Sequence, residues 1–287
     1  MNKIALVTDT TVNMPPDMVA RMDIRVVPVY VNFGTESYKD YEELPPAKFY
    51  EKLAAVKAAG GEMPKTSQPS PEDFRKVYEQ CREEGSHSAI SVHVTAKASG
   101  TCASAELAKT MAGHIHVHVV DSATTSMQMG FMLMEAHDAM ESGGGLPEML
   151  AAVEKVKAHS SLVFTVTELE HLAASGRTEG AEKATEAAVK VKPVISIEGG
   201  VPKAVGQERT QKAALERVLA MTKDKMANHH LQRLAVVHGN TEAKAKEWAK
   251  EATAALGFSG EPYVVDFGPA LAVHFGPGLL GVAAQWG

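Results

Sequence analysis

A chain of 287 residues with 45% hydrophobic composition is long enough for a sizeable core and for two domains. Its formal charge of −6 argues against nucleic acid as a partner, because phosphates select a basic face. No run approaches the ~18 apolar residues of a membrane span, and the apolar run at 4–7 is too short for a signal-peptide core, so a cytoplasmic protein is expected.

Residues 4–8 read as a buried strand closed by Thr8-Asp9-Thr10-Thr11, and 16–22 as a short helix. Residues 25–31 read as a second strand, with a hairpin return at 38–40. The spacing of Phe49, Leu53 and Val56 predicts a helix over 45–59, stopped by Gly60-Gly61. Thr66-Ser67-Gln68-Pro69-Ser70 is a loop before a helix at 71–84, where Pro71, Glu72 and Asp73 suit the positive end and Ser67 or Ser70 supplies the cap. A strand at 89–94, the loop Ser99-Gly100-Thr101 and an Ala-rich helix to Met111 follow. Then come a strand at 115–120 ending in Asp121-Ser122, a Met-rich helix at 127–140 and a helix at 146–159. Strands alternating with helices predict βαβ units and a Rossmann-like parallel sheet.

From Ser160 the pattern changes. A strand at 161–165, short helices at 167–174 and 179–189, and a hairpin at 193–207 turning on Gly199-Gly200 suggest an α+β unit with a mostly antiparallel sheet. Helices at 211–225 and 242–256 flank a strand at 233–239, and segments 263–267 and 270–274 close the chain, putting His274 at a strand end before Gly276-Pro277-Gly278. The expected fold is therefore α/β with two domains, 1–160 and 161–287, and a ligand between them.

Several short motifs sit where strands end, which is where open α/β sheets bind ligands. Thr66, Ser67, Ser99 and Thr101 offer hydroxyls, and the backbone around Gly100 offers N–H groups unobstructed by a side chain. Such a set suits an anionic or strongly polar head group. Nothing in it is an obvious strong nucleophile or metal cage. Asp9 reads as a cap with no second carboxylate nearby for a metal, and His114, His116 and His118 as one solvated strand face. Cys81 and Cys102 read as reduced buried thiols. Neither a Gly-x-Ser-x-Gly elbow nor a phosphate-binding Gly-x4-Gly-Lys-Ser/Thr loop is present.

In this order over nearly the whole chain, these motifs resemble the DegV family. Leu172 with Gly176-Arg177, Lys192-Pro193, Arg209-Thr210, and Gly268 with His274 and Gly276-Pro277-Gly278 extend the resemblance. It implies a long-chain fatty acid held between the domains, and a non-catalytic carrier that presents the carboxylate to a fatty acid kinase for conversion to acyl phosphate. It implies no cofactor besides the bound lipid, and leaves peripheral membrane contact open. Thr66 and Ser99 match its head-group positions, while His274 and Arg209 match positions near the carboxylate. Arg209 is assigned to the partner or to phosphate oxygens. The chain departs from the family pattern at Ala98, Cys102, Ser175 and Thr178.

The chemistry is consistent with that reading. A buried carboxylate needs hydrogen bonds and charge compensation. Thr66 and Ser99 can donate, and His274, if protonated, can also compensate charge. A tail gains about 0.8 kcal/mol per methylene buried. Met127 to Met134 can line its tunnel or simply fill a helix core. Two alternatives remain at this level. One is a hydrolase or transferase acting on a lipid-like carboxylate, which needs a Ser99–His274 pair with an acidic orienter. The other is a regulatory module that binds a small polar anion.

Overall fold

Strand β1 (Lys3–Asp9) enters the core at once and ends in a helical turn, Thr10–Val12. The structure is a computed structural model describing residues 3–167, 169–179 and 191–287. After helix α1 (Pro16–Arg21), strand β2 (Ile24–Val27) pairs parallel with β1. The strand expected over 25–31 is in fact two. Proline 28 has no N–H for a ladder, so the chain leaves the sheet there and starts β3 (Tyr30–Phe33) in another one. That second sheet is small: β3 pairs antiparallel with β4 (Glu36–Lys39) and with β5 (Lys65–Ser67). Helix α2 (Pro46–Ala58) lies between β4 and β5 in sequence.

Helix α3 (Pro71–Glu83) begins with a capping box in which Ser70 and Asp73 satisfy each other's backbone N–H groups. Strand β6 (Ser86–His93), helix α4 (Thr101–Met111) and strand β7 (His116–Asp121) complete a parallel sheet ordered β2-β1-β6-β7. The chain runs outward from β1 to one side and from β6 to the other. The crevice between the carboxyl ends of β1 and β6 is thus the topological switch point.

Helix α5 (Ser126–Glu141) is buried along its first half, and α6 (Leu146–Ala158) packs beside it. The remaining strands form a mixed, mostly antiparallel sheet. They are β8 (Ser160–Thr165), β9 (Lys192–Glu198), β10 (Val201–Glu208), β11 (Leu231–His238), β12 (Tyr263–Asp266) and β13 (Leu280–Trp286), in the order β10-β9-β8-β13-β11-β12. The β9–β10 hairpin turns at Gly199-Gly200 as expected. Strand β13 was not anticipated, yet it is central, between β8 and β11. The helices of this half are α7 (Leu169–Ser175), α8 (Gln211–Met226), α9 (Glu242–Leu256) and α10 (Gly268–Phe275). The helix expected at 179–189 falls largely outside the described residues.

One apolar cluster joins the two large sheets. Leu6, Ile90 and Val92 meet Phe164, Val237 and Phe275 in it, with α5 between them. Met127, Met129 and Met132 are fully buried there, so the Met-rich stretch is helix core. Cys81 and Cys102 are free, buried thiols, and burial pushes their pKa up to about 11 and about 12. Among the described residues no helix is long and apolar enough to cross a membrane.

Candidate functional site

The switch-point crevice opens into a cavity of about 360 Å³, within the range of small-molecule sites. Both halves of the chain build it. Thr11 follows β1, Val94, Thr95, Ala98, Ser99 and Gly100 follow β6, and Thr66 to Gln68 come from the end of β5. The facing wall is Arg177 after α7, Ile197 of β9, Pro202 of β10, and Leu271, His274 and Phe275 of α10.

Helix α10 was expected as a strand. Gly268 and Pro269 explain the difference. Pro269 is the second residue of the helix, where its preset φ suits the first turn and the N–H it lacks would have no intrahelical partner. Gly268 has φ +70, and a Cβ on it would meet the Tyr41 hydroxyl at 2.6 Å, so the chain turns tightly into the helix. Two carboxylates hold its first turn: Asp266 accepts the Gly268 N–H at 2.8 Å and Asp40 accepts the Ala270 N–H at 3.3 Å. His274 therefore sits in the last turn of a helix, not at a strand end.

Three of the site's side chains form one contact. Thr66 Oγ1 lies 2.9 Å from His274 Nε2, and Arg177 Nη1 donates to Thr66 Oγ1 at 3.3 Å. The same guanidinium nitrogen lies against the His274 imidazole. Burial, then the Arg177 charge, then His171 push the His274 pKa down to about 3. His274 is thus neutral at pH 7, so the condition under which it would compensate charge is not met. The cation of the site is Arg177. Burial alone moves its pKa, downward, and no carboxylate pairs with it among the described residues. Sequence reasoning placed Arg177 in the family pattern but not in the site. Its signal was the Gly176-Arg177 pair, where Gly176 takes φ +61 and turns the chain into the cavity wall.

Ser99 lines the cavity, and its Oγ lies 2.8 Å from Thr101 Oγ1 and accepts the Thr101 N–H at 3.3 Å. The Ser99–His274 pair that a hydrolase needs is not formed: the polar partners of His274 among the described residues are Thr66 and Arg177. Thr101 is wholly buried and reaches the cavity only through Ser99. Gly100 lines it, and the Gln68 side chain fills the space where a Cβ would stand, at 2.4 Å. Gly100 caps α4 without a side-chain bond, so the positive end of that helix faces the cavity. Thr66 is on β5, a strand where a loop was expected, and exposed Ser67 follows it in the lining. Arg209 is exposed in the bend between β10 and α8, and does not line the cavity.

Asp9 is structural. It accepts from Thr11 N at 3.0 Å, Thr11 Oγ1 at 2.5 Å and Val94 N at 3.1 Å, and pairs with His93 Nδ1 at 3.0 Å. Among the described residues no cluster of His, Cys, Asp or Glu has the makings of a metal site.

Comparison with known proteins agrees with this architecture. The family model described as "Uncharacterised protein, DegV family" matches residues 3–286. A DegV domain-containing protein of Deinococcus radiodurans is 32% identical, over 98% of each chain. A solved structure of a DegV family protein from Thermus thermophilus, described for its fatty acid binding, is 33% identical with a TM-score of 0.86 over 99% of each chain. DegV of Bacillus subtilis, described as a fatty acid binding protein, is 29% identical with a TM-score of 0.88 over 100% of each chain. The chain belongs to the DegV family.

Proposed function

We propose that the chain holds a long-chain fatty acid between two domains that divide near residue 160, and presents its carboxylate to a fatty acid kinase. The observation that carries this reading is the polarity of one cavity. At one end stand Thr66, Ser99, neutral His274, the amino end of α4 and Arg177, a cation with no carboxylate beside it among the described residues. The rest of the wall mixes apolar Val29, Val94, Ile197, Leu271 and Phe275 with uncharged polar Thr11, Gln68, Thr95, Thr124 and Thr125. A half-buried cation without a counter-ion is costly, and a ligand carboxylate removes that cost. The apolar side chains in that wall give a tail something to pack on that a small polar anion does not need, and the two solved relatives are described as binding fatty acids.

In this reading Thr66, Ser99 and Arg177 donate to the carboxylate, Gly100 exposes helix N–H groups, and Thr101 and Ser67 support the rim. Exposed Arg209 serves the kinase or its phosphate oxygens. Native mass spectrometry of the purified protein tests the ligand class: a co-purifying mass in the long-chain fatty acid range is expected, and a small polar ligand instead sinks the reading. Adding ATP and a fatty acid kinase tests the carrier role. Wild type then yields bound acyl phosphate, while Arg209→Ala binds the lipid normally and is phosphorylated slowly. Lipid release from esters by this protein alone would mark an enzyme.

A further inference from the structure

A second cavity, of about 290 Å³, meets the first at the same three side chains. Thr66, Arg177 and His274 line both, so they form the wall between them. The inner cavity continues into Val94, Leu271 and Phe275; the outer one is finished by Lys65, Ser175, Ala174, Met63, Pro64 and Val273. No Asp or Glu lines the outer cavity among the described residues. Its charged lining residues are two cations, Lys65 and Arg177, beside the uncharged polar groups of Thr66, Ser175 and neutral His274.

The wall is incompletely bonded on the cationic side. Among the described residues only Nη1 of Arg177 has side-chain partners, in Thr66 and His274. Nε and Nη2 donate to no acceptor among the described residues, and a guanidinium carries donors on all of its nitrogens. Ser175 Oγ accepts the Arg177 backbone N–H at 3.3 Å and donates to Leu172 O at 2.9 Å, which fixes the turn that aims the guanidinium. The Lys65 ammonium rests 2.5 Å from Glu62, with both side chains at least 70% exposed. A surface pair of that kind is worth little, so Lys65 can exchange Glu62 for a stronger anion.

We propose that the outer cavity is the subsite for the phosphoryl group of an acyl phosphate, with the acyl carbonyl kept on the inner side of the wall. This rests on the carboxylate position argued above. A phosphoryl group joined to that carboxylate points away from the tail. The tail fills the inner cavity, so the added group passes the wall into the outer one. In the step that forms it, a carboxylate oxygen bonds to phosphorus. The bond from phosphorus to the bridging oxygen of a nucleoside triphosphate breaks, and its electron pair leaves with the diphosphate. The dianionic group meets Lys65 and the free edge of Arg177, which suits planar, multi-donor recognition of phosphoryl oxygens.

The test titrates the whole protein with a fatty acid and with the 2-oxoalkylphosphonate of the same acyl chain, a stable acyl phosphate mimic. Two variants are compared with wild type: Lys65→Glu, which reverses an exposed charge, and Ala174→Trp, which fills the outer cavity from an exposed position on α7. Both variants are expected to bind the fatty acid within about twofold of wild type and the phosphonate at least about tenfold more weakly. Equal phosphonate affinity in all three proteins overturns the subsite. Parallel loss of both ligands shows a single pocket and overturns it too. Binding of neither ligand by wild type overturns the carboxylate reading itself, an outcome distinct from the other two.

Discussion

His93 and His274 each pack a ring nitrogen against a hydroxyl, Ser91 at 2.6 Å and Thr66 at 2.9 Å, yet what surrounds them is opposite. His93 completes a chain from Asp9 through Ser91 to Tyr78, in which every residue has 0% exposure. The Asp-His-Ser order resembles a hydrolytic triad, but no substrate reaches Ser91. The carboxylate is internal, and it also ties Thr11 to Val94 at the ends of β1 and β6. His274 has no carboxylate partner among the described residues. Its neighbour is a cation that lines two cavities. A buried polar cluster that contains its own counter-charge is framework; one that lacks it is built for a ligand.

The largest expected effect comes from breaking the framework cluster. Asp9→Ala leaves the donors of Thr11, His93 and Val94 without their acceptor in a buried site. It should cost at least about 3 kcal/mol of unfolding free energy in urea titrations. Wild-type stability with lost lipid binding would move Asp9 into the site and end the contrast. Arg177→Met is the matching change in the ligand cluster. Fatty acid affinity should fall by about 1.5–3 kcal/mol, the worth of hydrogen bonds to a charged group. Stability should hold or rise, because a half-buried charge with no carboxylate partner among the described residues is removed. A marked drop in melting temperature with intact affinity would make Arg177 structural.

Thr66→Ala and Ser99→Ala sharpen the same contrast more gently. Each should weaken lipid binding by roughly 1.5 kcal/mol, since each removes one donor to an ionised carboxylate. Loss of the Ser99 turn contact should cost stability no more than about 1 kcal/mol. Unchanged affinity in the double variant refutes the head-group assignment, and calorimetric titration decides it.

The smallest net effect in wild type is in pH, where two large shifts oppose each other. His274 is held at about 3 against an ordinary 6.5, so below pH 6.5 the unfolded chain binds a proton that the folded one refuses. Its contribution is present above pH 6.5 and lost as pH falls toward 3. Burial raises Asp40 from 3.8 to about 7, so the folded chain keeps a proton that the unfolded one releases. That contribution is present below pH 3.8 and lost as pH rises toward 7. The two oppose each other across the shared window. Asp40→Asn should therefore show stability falling with acid, and His274→Gln should show it falling with base. Urea midpoints measured from pH 4 to pH 7 check both slopes. Fatty acid affinity should stay flat from pH 6 to pH 8, because the compensating charge is on Arg177.

Much of this was legible from the chain alone, and the reason is local physics. Alternation of strand and helix marked the parallel sheet, Pro71 and Ser70 marked the start of α3, and Gly199-Gly200 marked the β9–β10 turn. Hydroxyls expected at strand ends singled out Thr66 and Ser99, and both line the cavity. Errors came where tertiary context overrules local pattern. Proline 28 divides one apolar run between two sheets. Segment 268–275 is apolar enough for a strand, but Asp40 and Asp266 hold its first turn as a helix. Strand β13 carries Gly281 and a pair of alanines rather than alternating large residues, and reads as a strand only between β8 and β11.

The site divides in the same way. Composition and motif spacing determined that this chain offers hydroxyls, open backbone and few candidate nucleophiles at the ends of parallel strands. Only the tertiary structure decided which charge stands among them. A histidine and an arginine 97 positions apart in sequence become neighbours, and the arginine's charge helps keep the histidine neutral. Sequence lists ionisable groups one at a time; burial and proximity, which fix their charge, exist only once the chain has folded.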